Sequence, residues 1–184
     1  MRMAGCLREI LVAIVDSGVD PGIDCLSGRV VHASSFVADS EDGDAHGHGT
    51  HVAGTIAMIA PNSRLLDLKV ADRHGRCAST TVAHAVRLSA EMGADVINLS
   101  LEVEPSTELE TAIDFAWRSG ALVIAAAGMP ACPDIIPMNG DGWPDSPCRP
   151  AMSAPVYPAA YPQAIAVTGT NELDELAPVS NRAT

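Results

Sequence analysis

The strongest constraint on this chain is an alternation of short aliphatic runs, each stopped by polar or glycine turn residues, with stretches of helical spacing. Ile10 to Val15 is β-branched and aliphatic throughout, too short for a helix, and closed by Asp16-Ser17-Gly18, the pattern of a strand buried on both faces. Leu65 to Val70, Asp95 to Leu99, Ala121 to Ala126 and Ala164 to Thr168 read alike. Between them helices are expected over His48 to Ala60, over Thr80 to Met92 with Ser79 as N-cap and Gly93 after its end, and over Thr107 to Ser119 ending at Gly120. Strand and helix in this order predict an α/β fold: a doubly wound parallel sheet with its sites at the carboxyl ends of the strands.

The 184 residues form one expected domain, 1–184, and a chain of this length can remove roughly 70% of its unfolded surface from water. With 47% hydrophobic but only 3% aromatic residues, that core has to be packed from small aliphatic side chains. Nine of the 13 prolines fall in 130–162, which reads as an irregular surface excursion. No repeat, charge block or linker divides the chain.

A net charge of −12 disfavours nucleic acid or an anionic membrane surface as partner and makes basic or neutral partners more natural. No uncharged apolar run approaches the ~20 residues of a membrane helix, and Arg8 and Glu9 interrupt the start before a secretory signal could form. Five scattered cysteines suit a reducing compartment better than a disulfide framework, so the expected location is cytoplasmic. Cys132 and Cys148 could pair across the proline-rich segment only in an oxidising setting. Cys25 and Cys77 read as packed thiols.

Two clusters carry the chemistry. Asp16, at the end of the first buried strand, should project its carboxylate from the carboxyl edge of the sheet; an isolated D-S-G would otherwise read as a capping turn. The run D-A-H-G-H-G-T-H-V-A-G-T-I-A sets His48 and His51 three apart at a glycine-rich helix start, on one face. The positive end of a helix dipole favours a neutral imidazole, the form a general base needs. Gly49 and Gly54 would let this helix approach the sheet. Two chemistries compete: a zinc site on His46, His48 and His51, for which Thr50 stands where an aspartate is wanted, and a Ser-His-Asp hydrolase in which a carboxylate orients the imidazole.

I-V-D-S-G-V-D and H-G-T-H-V-A-G-T-I-A resemble, in the same chain order, the aspartate and histidine motifs of the subtilisin-like serine proteases (subtilases). L-K-V-A-D-R-H-G-R-C-A-S-T with G-A-D-V-I-N-L-S-L looks like the next strand, helix and substrate-binding strand of that family. A-L-V-I-A-A-A-G and V-Y-P-A-A-Y-P-Q-A-I-A-V-T-G-T look like the segments after these, so the likeness covers nearly the whole chain. It implies Asp16 as orienting carboxylate, His48 as general base, His51 as a structural residue, and Ser100 and Leu101 as the backbone wall for an extended peptide, with Glu102 and Gly128 beside it. The acidic residues Asp39, Glu41, Asp42 and Asp44 could take Ca²⁺, as loops of subtilases often do, but read first as solvated; no cofactor is otherwise expected.

Three departures stand out. The G-T-S-x-A segment that bears the nucleophile in the family does not occur in this sequence, and Ser180 in P-V-S-N reads as a loop residue and not as its substitute. Met129 replaces the asparagine that donates to the oxyanion, and a thioether cannot donate. Glu102-Val103 replaces a usual Gly-Gly, adding a carboxylate beside the primary specificity pocket. The resulting expectation is a subtilase-family domain inactive as an isolated chain, a pseudoprotease or peptide- or protein-binding module. The alternative is a serine endopeptidase whose serine lies in a second chain or missing segment, and the distant one is the zinc hydrolase. Without the nucleophile-bearing helix, apolar sheet surface should be exposed and covered by a second polypeptide, by self-association or by the proline-rich segment.

Overall fold

The computed structural model describes residues 9–38, 43–128, 155–177 and 180–181. Its core is a parallel sheet of β1 (Leu11–Asp16), β2 (Val30–Ser35), β3 (Arg64–Lys69), β4 (Val96–Leu99), β5 (Leu122–Ala126) and β6 (Ala164–Val167), in the order β2-β3-β1-β4-β5-β6. Helices α1 (His48–Ile59), α2 (Ser79–Glu91) and α3 (Thr107–Arg118) supply crossovers, so the doubly wound α/β expectation holds.

The expected strands and helices all form, within a residue or two of their bounds. α2 begins one residue early, so that Ser79 is its first helical residue; Ala78 is the N-cap and makes no side-chain cap. Ser106 caps α3, its hydroxyl accepting from the Leu109 amide. β2 was not expected from the sequence. It lies at the sheet edge with half-buried and exposed residues alternating along V-V-H-A-S-S, and so lacks the apolar run of a strand covered on both faces.

The two faces of the sheet are covered unequally. On one, α2 and α3 close a core of Ala13, Val15, Leu66, Leu68, Ile97, Leu99 and Val123 with Val82, Val86, Leu109 and Ile113. On the other, α1 covers Val12, Ile14 and Leu65 through Ala53 and Ala57. Over β5 and β6 on that second face, Leu122, Ile165 and Val167 are 44%, 45% and 49% exposed. These exposed apolar side chains lie opposite α3, over β5 and β6, and not on β1 beside Asp16 and His48.

The winding reverses at β1, which pairs with β3 on one side and β4 on the other. Turns leaving the carboxyl ends of β1, β3 and β4 thus converge on one edge, the place where a doubly wound sheet holds a ligand.

Candidate active site

β1 ends on Asp16, whose side chain is only 4% exposed. Its Oδ1 accepts from the Ser17 amide at 2.7 Å and from His48 Nδ1 at 2.8 Å. His48 is the first residue of α1 and is 45% exposed, so the imidazole has one nitrogen on a buried carboxylate and an open flank. Because the carboxylate only accepts, Nδ1 carries the proton and Nε2 is the ring nitrogen left to take another. Asp16 Oδ2 is buried without a hydrogen-bond partner among the described residues.

Two residues not expected to support this pair, Asp44 and Ser17, hold it in place. Asp44 lies three residues before the helix cap, Gly47, which adopts φ 89°. Its Oδ1 accepts from the Gly47 amide and the Ser17 hydroxyl, both at 2.8 Å, and its Oδ2 accepts from the Thr50 amide at 2.8 Å and the Thr50 hydroxyl at 2.7 Å. Ser17 Oγ in turn accepts from the Gly49 amide at 3.0 Å. The first-turn amides of α1 are thus satisfied by side chains from outside the helix. Burial alone would raise the Asp44 pKa, but the bonds from Thr50, Ser17 and Gly47 outweigh it and hold the carboxyl below its ordinary range. The sequence signal was an aspartate just ahead of a glycine-started helix.

Gly49 is required by contact: a Cβ there would run into the Gly18 carbonyl oxygen and lie 3.1 Å from Asp16 Cβ. Gly54 corrects the sequence reading, since nothing stands within 4 Å of a Cβ at that position and it has no part in the close approach.

A cavity of about 280 Å³ lies over the pair, bordered by His46, His74, Cys77, Ser100, Leu101 and Glu102 as well as Asp16 and His48. Ser100 and Leu101 follow directly on β4 and reach this cavity. Burial pushes the Cys77 thiol up, reinforced by the nearby Asp16 and Asp72 carboxylates, so it is a poor nucleophile. Gly128 (φ 82°) leads out of β5 and its carbonyl accepts from the Asn181 amide at 3.0 Å. Ser180 lies outside this cavity: its hydroxyl accepts from the Gly169 amide at 2.8 Å and donates to the Asn181 carbonyl at 3.1 Å, a purely structural use.

The zinc alternative finds no support. His46 and His48 meet edge-on with ring centroids 6.2 Å apart, His48 Nδ1 is committed to Asp16, and His51 is exposed on α1. No group of three or more possible ligand side chains among the described residues is placed to hold a metal. For calcium, Asp39, Glu41 and Asp42 lie outside the described residues, and the Asp44 oxygens are taken up by hydrogen bonds. Met129, most of 130–162, Cys132 and Cys148 also lie outside the described residues.

A parallel α/β scaffold carries at its switch point a buried carboxylate hydrogen-bonded to a half-exposed imidazole, beside a cavity that Ser100 and Leu101 border; this is the arrangement of the aspartate–histidine pair in serine hydrolases. The chain belongs to the subtilase family, Peptidase S8, which it matches over residues 8–184. It is 36% identical over 185 residues to the thermophilic serine proteinase of Bacillus sp. (strain AK1), covering 94% of this chain and 41% of that protein. To thermitase of Thermoactinomyces vulgaris it is 35% identical over 175 residues, 89% of this chain and 56% of the other. The crystal structure of a cold adapted subtilisin-like serine proteinase matches with a TM-score of 0.74 at 28% identity, covering 94% of this chain and 59% of that one. The chain thus spans about half the length of the curated relatives it matches. No described helix is long and apolar enough to cross a membrane.

Proposed function

We propose that this chain supplies the aspartate–histidine half of a serine peptidase centre, and that peptide bonds are cleaved when polypeptide outside these 184 residues brings a serine hydroxyl to His48. The observation carrying the proposal is the 2.8 Å bond between His48 Nδ1 and the buried Asp16 Oδ1, in an open cavity. In this reading His48 Nε2 takes the serine proton as the hydroxyl attacks the peptide carbonyl and later returns it to the leaving amine, while Asp16 fixes the tautomer and stabilises the imidazolium. Ser100, Leu101 and Glu102 run beside the extended substrate.

Such a partner segment would cover Leu122, Ile165 and Val167, which are exposed on the sheet face that α1 covers only in part. The odd cysteine count, with Cys25 and Cys77 as free thiols, supports a reducing, cytoplasmic setting. A second reading is favoured by Met129, which removes an oxyanion donor worth about 10²–10³ in rate: a pseudoprotease that binds peptide or protein without cleaving it.

One experiment separates them. The chain is co-expressed with the serine-bearing portion of a subtilase relative, and the purified complex is assayed on casein and with a fluorophosphonate probe. Cleavage that falls about 10⁴-fold or more in His48→Ala and Asp16→Asn supports the peptidase. A well-folded complex that neither cleaves nor labels leaves the pseudoprotease.

A further inference from the structure

Beyond the small cavity over His48, the same segment opens a second cavity of about 550 Å³ whose lining includes Glu102, Val103, Glu104, Pro105, Val156 and Tyr157. Its volume suits one or two side chains of a peptide. Glu102 borders both cavities, so it stands at the passage from the reacting centre to this recess.

The backbone holds that carboxylate in place. Val103 forms an antiparallel bridge with Tyr157, its amide donating to the Tyr157 carbonyl at 3.0 Å, which fixes the segment carrying Glu102 and Glu104. Across from it, Gly128 gives the acid room: a Cβ there would be 2.5 Å from Glu102 Oε1, 3.0 Å from Val156 Cγ1 and 3.1 Å from Asn181 Nδ2. A side chain at 128 would therefore displace the carboxylate, and the φ of 82° is itself one that glycine tolerates best.

The lining is apolar along its walls, from Val103, Pro105, Val156 and Tyr157, and acidic at Glu102 and Glu104; among the described residues it contains no lysine or arginine. A long aliphatic stem ending in a cation matches both features at once. A purely apolar side chain would bring no donor to these carboxylates, and an acidic one would be repelled. Resting on the peptidase reading of the neighbouring centre, we propose that Glu102, seconded by Glu104, makes this recess select a lysine or arginine side chain in the peptide that the site holds. Glu102 is then a specificity-determining residue, where a neutral or apolar residue would leave the recess to aliphatic side chains.

The test is equilibrium binding, which needs no nucleophile. Fluorescein-labelled, amidated Ala-Ala-Ala-Arg, Ala-Ala-Ala-Met and Ala-Ala-Ala-Glu are titrated with the purified chain by fluorescence anisotropy. The arginine peptide should bind about three- to tenfold more tightly than the methionine peptide, as a partly shielded ion pair allows, and the glutamate peptide most weakly. Glu102→Gln should shrink the arginine-to-methionine affinity ratio to about twofold or less, Glu104 supplying what remains. Equal binding of arginine and methionine peptides, a preference undiminished by Glu102→Gln, or a variant that loses both peptides alike each overturns the proposal and leaves the peptide cleft standing. Binding of none of the three overturns it together with the peptide-site reading on which it rests.

Discussion

At the level of single residues, two carboxyl groups on the α1 side of the sheet are driven in opposite directions. Asp67 interrupts the aliphatic run of β3, is only 7% exposed, and leaves Oδ1 buried without a partner among the described residues. Burial is the main cause that raises its pKa from 3.8 to about 6; the Val19 amide and Lys69 oppose the rise, while Asp44 and Asp16 add to it. A carboxyl whose folded pKa is raised contributes stability that is complete below its unfolded pKa and lost as pH climbs through the folded one. Stability should therefore fall between about pH 4 and pH 7 by an amount on the order of 2–3 kcal/mol, and Asp67→Asn, which removes the titration, should flatten that limb in urea melts. An unchanged slope in the variant would locate the charge elsewhere. Asp44 behaves in the reverse sense: its lowered pKa means that its contribution is present above the ordinary carboxyl range and disappears as pH falls below it. The two contributions thus fall off on opposite sides of the ordinary carboxyl range, and Asp44→Ala should make the acid limb shallower and cost about 1–3 kcal/mol at neutral pH through the donors it strands.

Among the elements, α1 shows how a helix start becomes a catalytic mount. Its first turn has no N-cap side chain, and Asp44 and Ser17 replace one, so the position of His48 depends on a turn after β1 and a loop before α1 that come together in the fold. Two glycines of this helix make opposite predictions. Gly49→Ala must push α1 away from the Gly18 carbonyl, costing about 1–3 kcal/mol and weakening the His48 to Asp16 bond, visible as a change in the imidazole proton signals by NMR. Gly54→Ala meets open space and should stabilise the helix by up to about 1 kcal/mol. Equal thermal shifts for the two would refute the close-approach argument. The same helix marks what was legible in advance. The D-S-G turn and the H-G-T-H run disclosed Asp16 and His48 because strand end and helix start are local signals. The contributions of Asp44 and Ser17 were hidden because they depend on residues 27 and 32 positions apart meeting in space. β2 was hidden for another reason, since an edge strand half open to water carries no apolar run. The reading of Leu65 to Val70 as one more aliphatic run passed over Asp67 and Lys69, which alternate along β3 and lie on the same face of it as Leu65.

For the molecule as a whole, the sheet is closed on one face by α2 and α3 and only partly on the other. α1 reaches β1 and β3, while Leu122 of β5 and Ile165 and Val167 of β6 present apolar side chains to solvent. β6 is also the last strand of the sheet, so the apolar strip adjoins an unpaired strand edge among the described residues. An apolar strip beside a strand edge is the usual signature of a surface that another polypeptide covers. If that holds here, the isolated chain should bind the dye ANS and self-associate as its concentration rises, measured by sedimentation velocity. Replacing Ile165 and Val167 by lysine should suppress both. Because these side chains are about half exposed, the melting free energy should move by no more than about 0.5 kcal/mol for each. Loss of association without loss of stability would assign the strip to an interface. Loss of both would show it to be part of the folded core, and association that persists would place the contact on another face.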